Sequence, residues 1–142
     1  MDYKIFGTMR TIKFRAKDLA SNKWLYGDLR HHKDDICIFK QEGNNGKQVK
    51  RETVGQFTGL YDENLKEIYE GDIVEVTEIG VQNGKKIIAL IVYDEDLGCF
   101  NFKASDRERC MCVSIPYIVI KIIGNIHDNP NLITFKTNYN GH

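Results

Sequence analysis

Apolar residues in this chain recur at every second position in short runs, and turn-forming residues separate the runs. The first run is Met9–Ala16, where Ile12, Phe14 and Ala16 alternate with Lys13, Arg15 and Lys17. Period two with one apolar face predicts a half-buried strand. Asp18–Asn22 is turn chemistry, and Trp24–His32 reads as a second strand closing a hairpin on the first. Gly27, inside that strand, signals a bulge or a close backbone approach. Asp34-Asp35 is a turn, Ile36–Lys40 is a third short strand, and Glu42–Lys47 (EGNNGK) is a loop, because Gly and Asn tolerate positive φ.

Residues 53–76, TVGQFTGLYDENLKEIYEGDIVEV, are the densest stretch of glycine, aromatic and acidic positions. Gly55 and Gly59 among Thr, Val and Phe argue against a helix interior and for an irregular strand or turn. Tyr61–Tyr69 reads as a tight hairpin turning at Asp62-Glu63-Asn64-Leu65, in which Asn64 can adopt a left-handed conformation at modest cost and Leu65 is a poorer choice than Gly. Glu70-Gly71-Asp72 is a further turn into a strand with Val74 and Val76 on one face. Asn83-Gly84 is a strong hairpin signal. Lys86–Asp94 is apolar on both faces and is expected to be a strand buried on both sides. Cys99–Ala104 returns with Phe100 and Phe102 on one face, and Asp106–Cys110 is a polar loop or short helical turn. Ile115–His127 is a long strand with Ile118, Ile120 and Ile122 on one face, and Gly124 permits a bend. Asn129-Pro130 ends it, and Asn131–Thr137 is a candidate edge strand.

Seven to nine short strands with little helical periodicity predict a mainly β protein, α+β at the margin. Residues 72–127 fit a small, partly closed barrel, with the N-terminal hairpin as an added sheet and short helices between. A length of 142 residues predicts one domain. Its expected extent is 9–135, preceded by an extension over 1–8 and followed by a flexible tail over 136–142.

Composition changes this picture little. No apolar run reaches the roughly 18 residues of a membrane span, and the first residues lack a secretory pattern. A bacterial cytoplasmic location is the expectation. Net charge is zero but uneven: residues 1–50 hold eleven Lys/Arg against six Asp/Glu, and residues 51–72 hold two against six. Cys37, Cys99, Cys110 and Cys112 read as reduced thiols. Cys110 and Cys112 lack a second ligand pair at zinc spacing. No cofactor or metal is expected.

The candidate chemistry is sparse. No nucleophile elbow or phosphate-binding loop occurs. Glu70 with Asp72, and Asp94 with Asp96, are paired carboxylates able in principle to hold a cation or serve as acid and base; acids beside glycine also simply form turns. Gln56, Thr58, Tyr61, Tyr69 and Asp72 form a candidate partner-binding set around the central hairpin; if buried, the same groups lock the turn. Trp24 and Tyr26 near Arg30 and Lys33 are aromatics interleaved with cations, the composition of a nucleic-acid-stacking surface, or else a core face with a solvated basic edge.

Several segments resemble the YopX family of phage and prophage proteins: IKFRA (12–16), YGDL (26–29), TVGQFTGLYDENLKEIYEGDIV (53–74), IVYDE (91–95) and IGNIHDNPNL (123–132). The resemblance implies a mainly β fold of phage origin with no established biochemical role. Three features depart from the family pattern. Lys17 stands where an aromatic is usual, Leu65 stands where Gly is usual in the hairpin turn, and the motif starts late, which makes Met9 an alternative start. The leading expectation is a non-enzymatic accessory protein that binds a host protein, a phage protein or a second copy of itself, as a possible homo-oligomer. The alternatives are a small-barrel nucleic-acid binder and a nucleotide- or metal-dependent enzyme using the acidic turns.

Overall fold

The computed structural model describes residues 9–40, 45–78, 86–104, 108–110 and 118–135. The Asn83-Gly84 hairpin, the extension over 1–8, Cys112 and the tail over 136–142 lie outside the described residues. Eleven strands occur among those described: β1 Phe14–Lys17, β2 Trp24–His32, β3 Asp35–Phe39, β4 Gly46–Gln48, β5 Gly55–Tyr61, β6 Glu67–Tyr69, β7 Asp72–Glu78, β8 Lys86–Asp94, β9 Cys99–Ala104, β10 Glu108–Cys110 and β11 Ile118–Asn125. They form two mainly antiparallel sheets, ordered β4-β3-β2-β1-β5-β6 and β10-β9-β8-β7-β11. The mainly β expectation holds. The expected short helices are single 3₁₀ turns, Arg51–Thr53 and Pro130–Leu132. The chain divides into two compact units, Met1–Gly59 and Leu60–His142.

In the first unit, Ala16, Leu25, Ile36, Ile38 and Val49 make the core, with Phe14, Leu29 and Val54 packed against it. The β1–β2 register sets Ala16 opposite Leu25, and the β2–β3 register sets Leu29 opposite Ile38, so the apolar side chains share one face. Gly27 resolves as a close approach: a Cβ there would collide with the Phe39 carbonyl oxygen. Gly46 similarly leaves room for the Phe39 ring. The expected loop at Glu42–Lys47 ends in a strand, β4, paired to β3 with Gly46 opposite Phe39.

β1 departs from expectation. Arg15 and Lys17, placed on a solvated face by their spacing, are buried to 6% and 8% exposure. The reason is tertiary: β1 pairs with β2 on one side and β5 on the other, and Trp24 lies against the cations. The end of β1 is also tied to the chain that follows β4. Asp18 bridges Val49. The Leu19 N–H donates to the Gln48 carbonyl at 3.0 Å, and the Lys50 N–H donates to the Lys17 carbonyl at 2.8 Å. The buried Thr53 hydroxyl accepts from the Lys17 N–H at 2.8 Å and donates to the Lys50 carbonyl at 2.6 Å.

In the second unit, Ile68, Val74, Val76, Ala89, Ile91, Phe102, Ala104 and Ile120 form the core. The expected barrel over 72–127 is instead an open sheet, with β10 and β11 at opposite edges. Part of the outer edge of β11 is taken by the central hairpin turn. The Glu63 N–H donates to the Ile120 carbonyl at 2.8 Å, and the Ile122 N–H donates to Asp62 Oδ2 at 3.1 Å. β8 buries one face only, through Ala89 and Ile91. Its Ile88, Leu90 and Val92 are half-buried, because β7 and β11 set Glu75 and Lys121 on that same side. Glu108–Cys110 is strand rather than loop, paired to β9. Ile133–Phe135 forms no strand, since the chain turns at Asn129-Pro130. Gly124 accompanies a register shift in β11.

The hairpin turn is built on Asp62. Its Oδ1 accepts the N–H groups of Asn64 and Lys66, both at 2.9 Å. Burial alone would raise this carboxyl group's pKa. The backbone donors from Lys66, Ile122 and Asn64, with the Lys66 charge, outweigh burial and hold it below the ordinary carboxylate value. The left-handed residue is Leu65, at φ 62°, the position where the sequence offers a poorer fit than Gly.

Three outcomes are expected. Thr53→Val removes both hydroxyl bonds and strands the Lys17 N–H, so denaturant unfolding should show a loss of about 1–3 kcal/mol. Leu65→Gly relieves a left-handed strain of roughly 1–2 kcal/mol, and Leu65 is 82% exposed; its melting temperature should rise. Asp62 has a lowered folded-state pKa, so its contribution is fully present above the unfolded-chain value and is lost as pH falls through the folded one. Asp62→Asn should therefore melt below the native chain at neutral pH, with the gap narrowing on acidification; a constant gap from neutral to strongly acidic pH would refute the charge-assisted role.

Candidate functional site: an aromatic and cationic sheet face

β2 buries Leu25 and Gly27, with half-buried Leu29, on its core side. Period two then sends Trp24, Tyr26, Asp28, Arg30 and His32 to the opposite face. The registers add neighbours on that face. Lys17 lies across from Trp24 and Arg15 across from Tyr26; Phe39 lies across from Asp28, Cys37 from Arg30 and Asp35 from His32.

Cations and rings pair across this face. The Arg15 Cζ lies 4.6 Å from the Trp24 ring centroid, and the Lys17 Nζ lies 5.4 Å from it. The Arg30 Cζ lies 4.3 Å from the Phe39 centroid. On the β5 side the Lys13 Nζ lies 5.8 Å from the Phe57 centroid. Each ring's negative face attracts the cation, and desolvation strengthens the attraction. Lys17 also buries its aliphatic stem this way.

The face has two tiers. Phe57, Arg15 and Lys17 are buried, and the two cations lie against half-buried Trp24. Beyond them Tyr26 is 45% exposed, and Asp28, Arg30 and His32 are exposed, with Phe39 half-buried beneath Arg30. Of the aromatic and basic set expected from sequence, Trp24, Tyr26 and Arg30 are thus brought onto one face. Lys33 stands apart, exposed in the β2–β3 turn at φ 54°. Asp18 lies on the other face near the sheet rim; its carboxylate is held below the ordinary pKa by the Ser21 hydroxyl and the Ala20 N–H, assisted by Lys47.

The hairpin set is distributed differently. Gln56 and Thr58 are half-buried on β5 in the first unit. In the second unit Tyr61 is exposed, whereas Tyr69 and Asp72 are each 2% exposed. Asp72 Oδ2 accepts the Tyr69 N–H at 2.8 Å, and the Tyr69 hydroxyl donates to Glu67 Oε2 at 2.9 Å. Between them Gly71 adopts φ 87°, and its N–H donates to the Ile91 carbonyl at 2.9 Å. Tyr69 and Asp72 thus secure the turn into β7.

The other carboxylate pair is also built into a turn. Asp94 Oδ1 accepts the N–H groups of Asp96 and Leu97, and its Oδ2 accepts from Asn101 Nδ2 at 2.9 Å. Among the described residues no grouping of three or more His, Cys, Asp or Glu is arranged to hold a metal ion. Cys37 and Cys99 are half-buried.

Sequence reasoning missed Arg15, Lys17, Phe39 and the Lys13–Phe57 pair. Phe39 was within reach: a two-residue turn at Lys33-Asp34 puts it across from Asp28, beside Arg30. Arg15 and Lys17 gave no such signal, since charged residues at period two ordinarily face water.

Comparison with known proteins bears on the fold. The crystal structure of protein EF1440 from Enterococcus faecalis matches with a TM-score of 0.54 at 24% identity, covering 89% of this chain and 100% of that one. No curated protein matches significantly. Among the described residues no helix is long and apolar enough to cross a membrane. The profile of the YopX protein family matches residues 13–134, a span that includes all eleven strands, and the chain belongs to that family.

Proposed function

We propose that this chain is a phage- or prophage-derived accessory protein that acts by binding a macromolecular partner, and that its binding surface is the outer face of the first unit's sheet. The observation that carries the reading is the row on β2. Tyr26 and Arg30 reach solvent there above rings and cations that are themselves packed in place. A ring with a polar tip and a guanidinium backed by a second ring are the side chains that dominate recognition surfaces. Packing beneath them reduces the ordering cost of binding. The hairpin residues Tyr69 and Asp72 are assigned to turn formation on account of their burial. Asp94 is read the same way, as a turn carboxylate rather than half of an acid–base pair.

Photo-crosslinking tests the location. A photoreactive amino acid placed at Tyr26, and separately at the exposed hairpin tip Leu65, is irradiated in cells carrying the native prophage. Adducts are expected from position 26 and not from position 65. Adducts from position 65 alone would move the surface to the hairpin and overturn the proposal.

A further inference from the structure

We infer that the ligand of this face is single-stranded nucleic acid, with bases stacked on Tyr26 and on the Arg30 guanidinium. The inference rests on the reading of the sheet face as the binding surface, and it adds the ligand's chemistry.

Four features carry it. The first is the row itself. Trp24, Tyr26, Asp28, Arg30 and His32 share one face of one strand, and their ends lie about 27 Å apart at ~3.4 Å per residue. Each is a side chain that stacks on a base or hydrogen-bonds to one. None is aliphatic, whereas a groove for an apolar helix or a lipid surface needs Leu, Ile or Val along such a row. The second is support from beneath. Arg30 sits on the Phe39 ring, and Arg and aromatic planes are the two platforms on which unpaired bases stack.

The third is charge. Lys13, Arg15, Lys17 and Arg30 lie on this face, with exposed Lys33 and Lys40 at its margins, against Asp28 and Asp35. That balance suits a polyanion. The fourth is Asp28, which is exposed between Tyr26 and Arg30. A carboxylate repels phosphate but accepts from the exocyclic amine of cytosine. Bases therefore face the sheet, and phosphates run toward the lysines at the margins. A duplex stacks its base faces away from such a surface and exposes base edges only within its grooves, so single strands are favoured.

Trp24 is the only tryptophan in the chain, so its emission reports on this face alone. The full chain is titrated at low salt with a deoxycytidine 12-mer, a deoxythymidine 12-mer, a duplex of equal length and polyglutamate. Saturable change in Trp24 emission is expected with the single strands, tighter for the cytidine oligomer, and weak or absent with duplex and polyglutamate. Tyr26→Ala should weaken binding by about fivefold to a hundredfold, with Tyr26→Phe restoring most of it. Arg30→Gln should lower the slope of log affinity against log salt by roughly 0.7. Unchanged melting temperatures would show that the variants fold. No response to any single strand, or equal response to polyglutamate, would overturn the inference. Loss of the ligand inference alone is distinguishable: protein adducts from position 26 that persist after nuclease treatment keep the binding face and reject nucleic acid as its occupant.

Discussion

The constraint on which the first unit depends is the pairing of the Lys17 backbone. Both peptide groups around this residue lie at the end of β1, where a buried N–H or C=O without a partner is costly. The Thr53 hydroxyl takes the N–H, and the Lys50 N–H takes the carbonyl. Two residues from outside the strand ladder thereby fasten β1 to the chain segment leading into β5. With the backbone held there, β1 keeps partners on both sides and Lys17 and Arg15 remain packed against Trp24. The aromatic and cationic face is a consequence of how β1 ends.

Asp62 has a comparable role in the second unit. A single carboxylate closes the hairpin turn through two N–H groups and joins it to β11 through a third. Strand edges are exposed hydrogen-bonding templates, and proteins cover them with turns or loops. The Asp62–Glu63 segment does this for part of β11. Occupation of that edge also explains why the sheet stays open. Its negative charge is favoured by backbone dipoles that outweigh the cost of burial, so the same group sets how the hairpin responds to acid.

The functional reading follows from the difference between these two carboxylate-rich and cation-rich regions. In the second unit Asp62, Asp72 and Asp94 accept from backbone or amide donors of their own turns and of neighbouring strands. In the first unit Arg30 lies on the Phe39 ring and Tyr26 sits across from buried Arg15, and both still reach solvent. Groups of the first kind shape a fold. Groups of the second kind, rigid at the base and exposed at the tip, are suited to meet a partner. Membership of the YopX family is consistent with either arrangement, so the site residues carry the argument.

Strand identity was legible locally. Trp24–His32 and the apolar set Ile118, Ile120 and Ile122 follow from period two, and Gly71 from the turn it makes. The Leu65 position was legible as a poor fit for its turn, and the fold retains it at φ 62°. The matters decided by long-range pairing were not legible, and two stand out. An open sheet and a closed barrel share the same succession of hairpins, and the choice depends on what reaches the two edge strands, which are distant in sequence. The burial of Arg15 and Lys17 was hidden for a related reason: alternation says that two faces differ, but not what lies against each. The sequence by itself determined most of the strands and turns, because those depend on backbone preference and neighbouring residues; β4, β10, the C-terminal segment after Pro130 and the one-sided burial of β8 depend on pairings with distant segments. Only the tertiary structure decided that β1 is an inner strand whose cations lie on Trp24, because that depends on pairings between segments up to about forty residues apart.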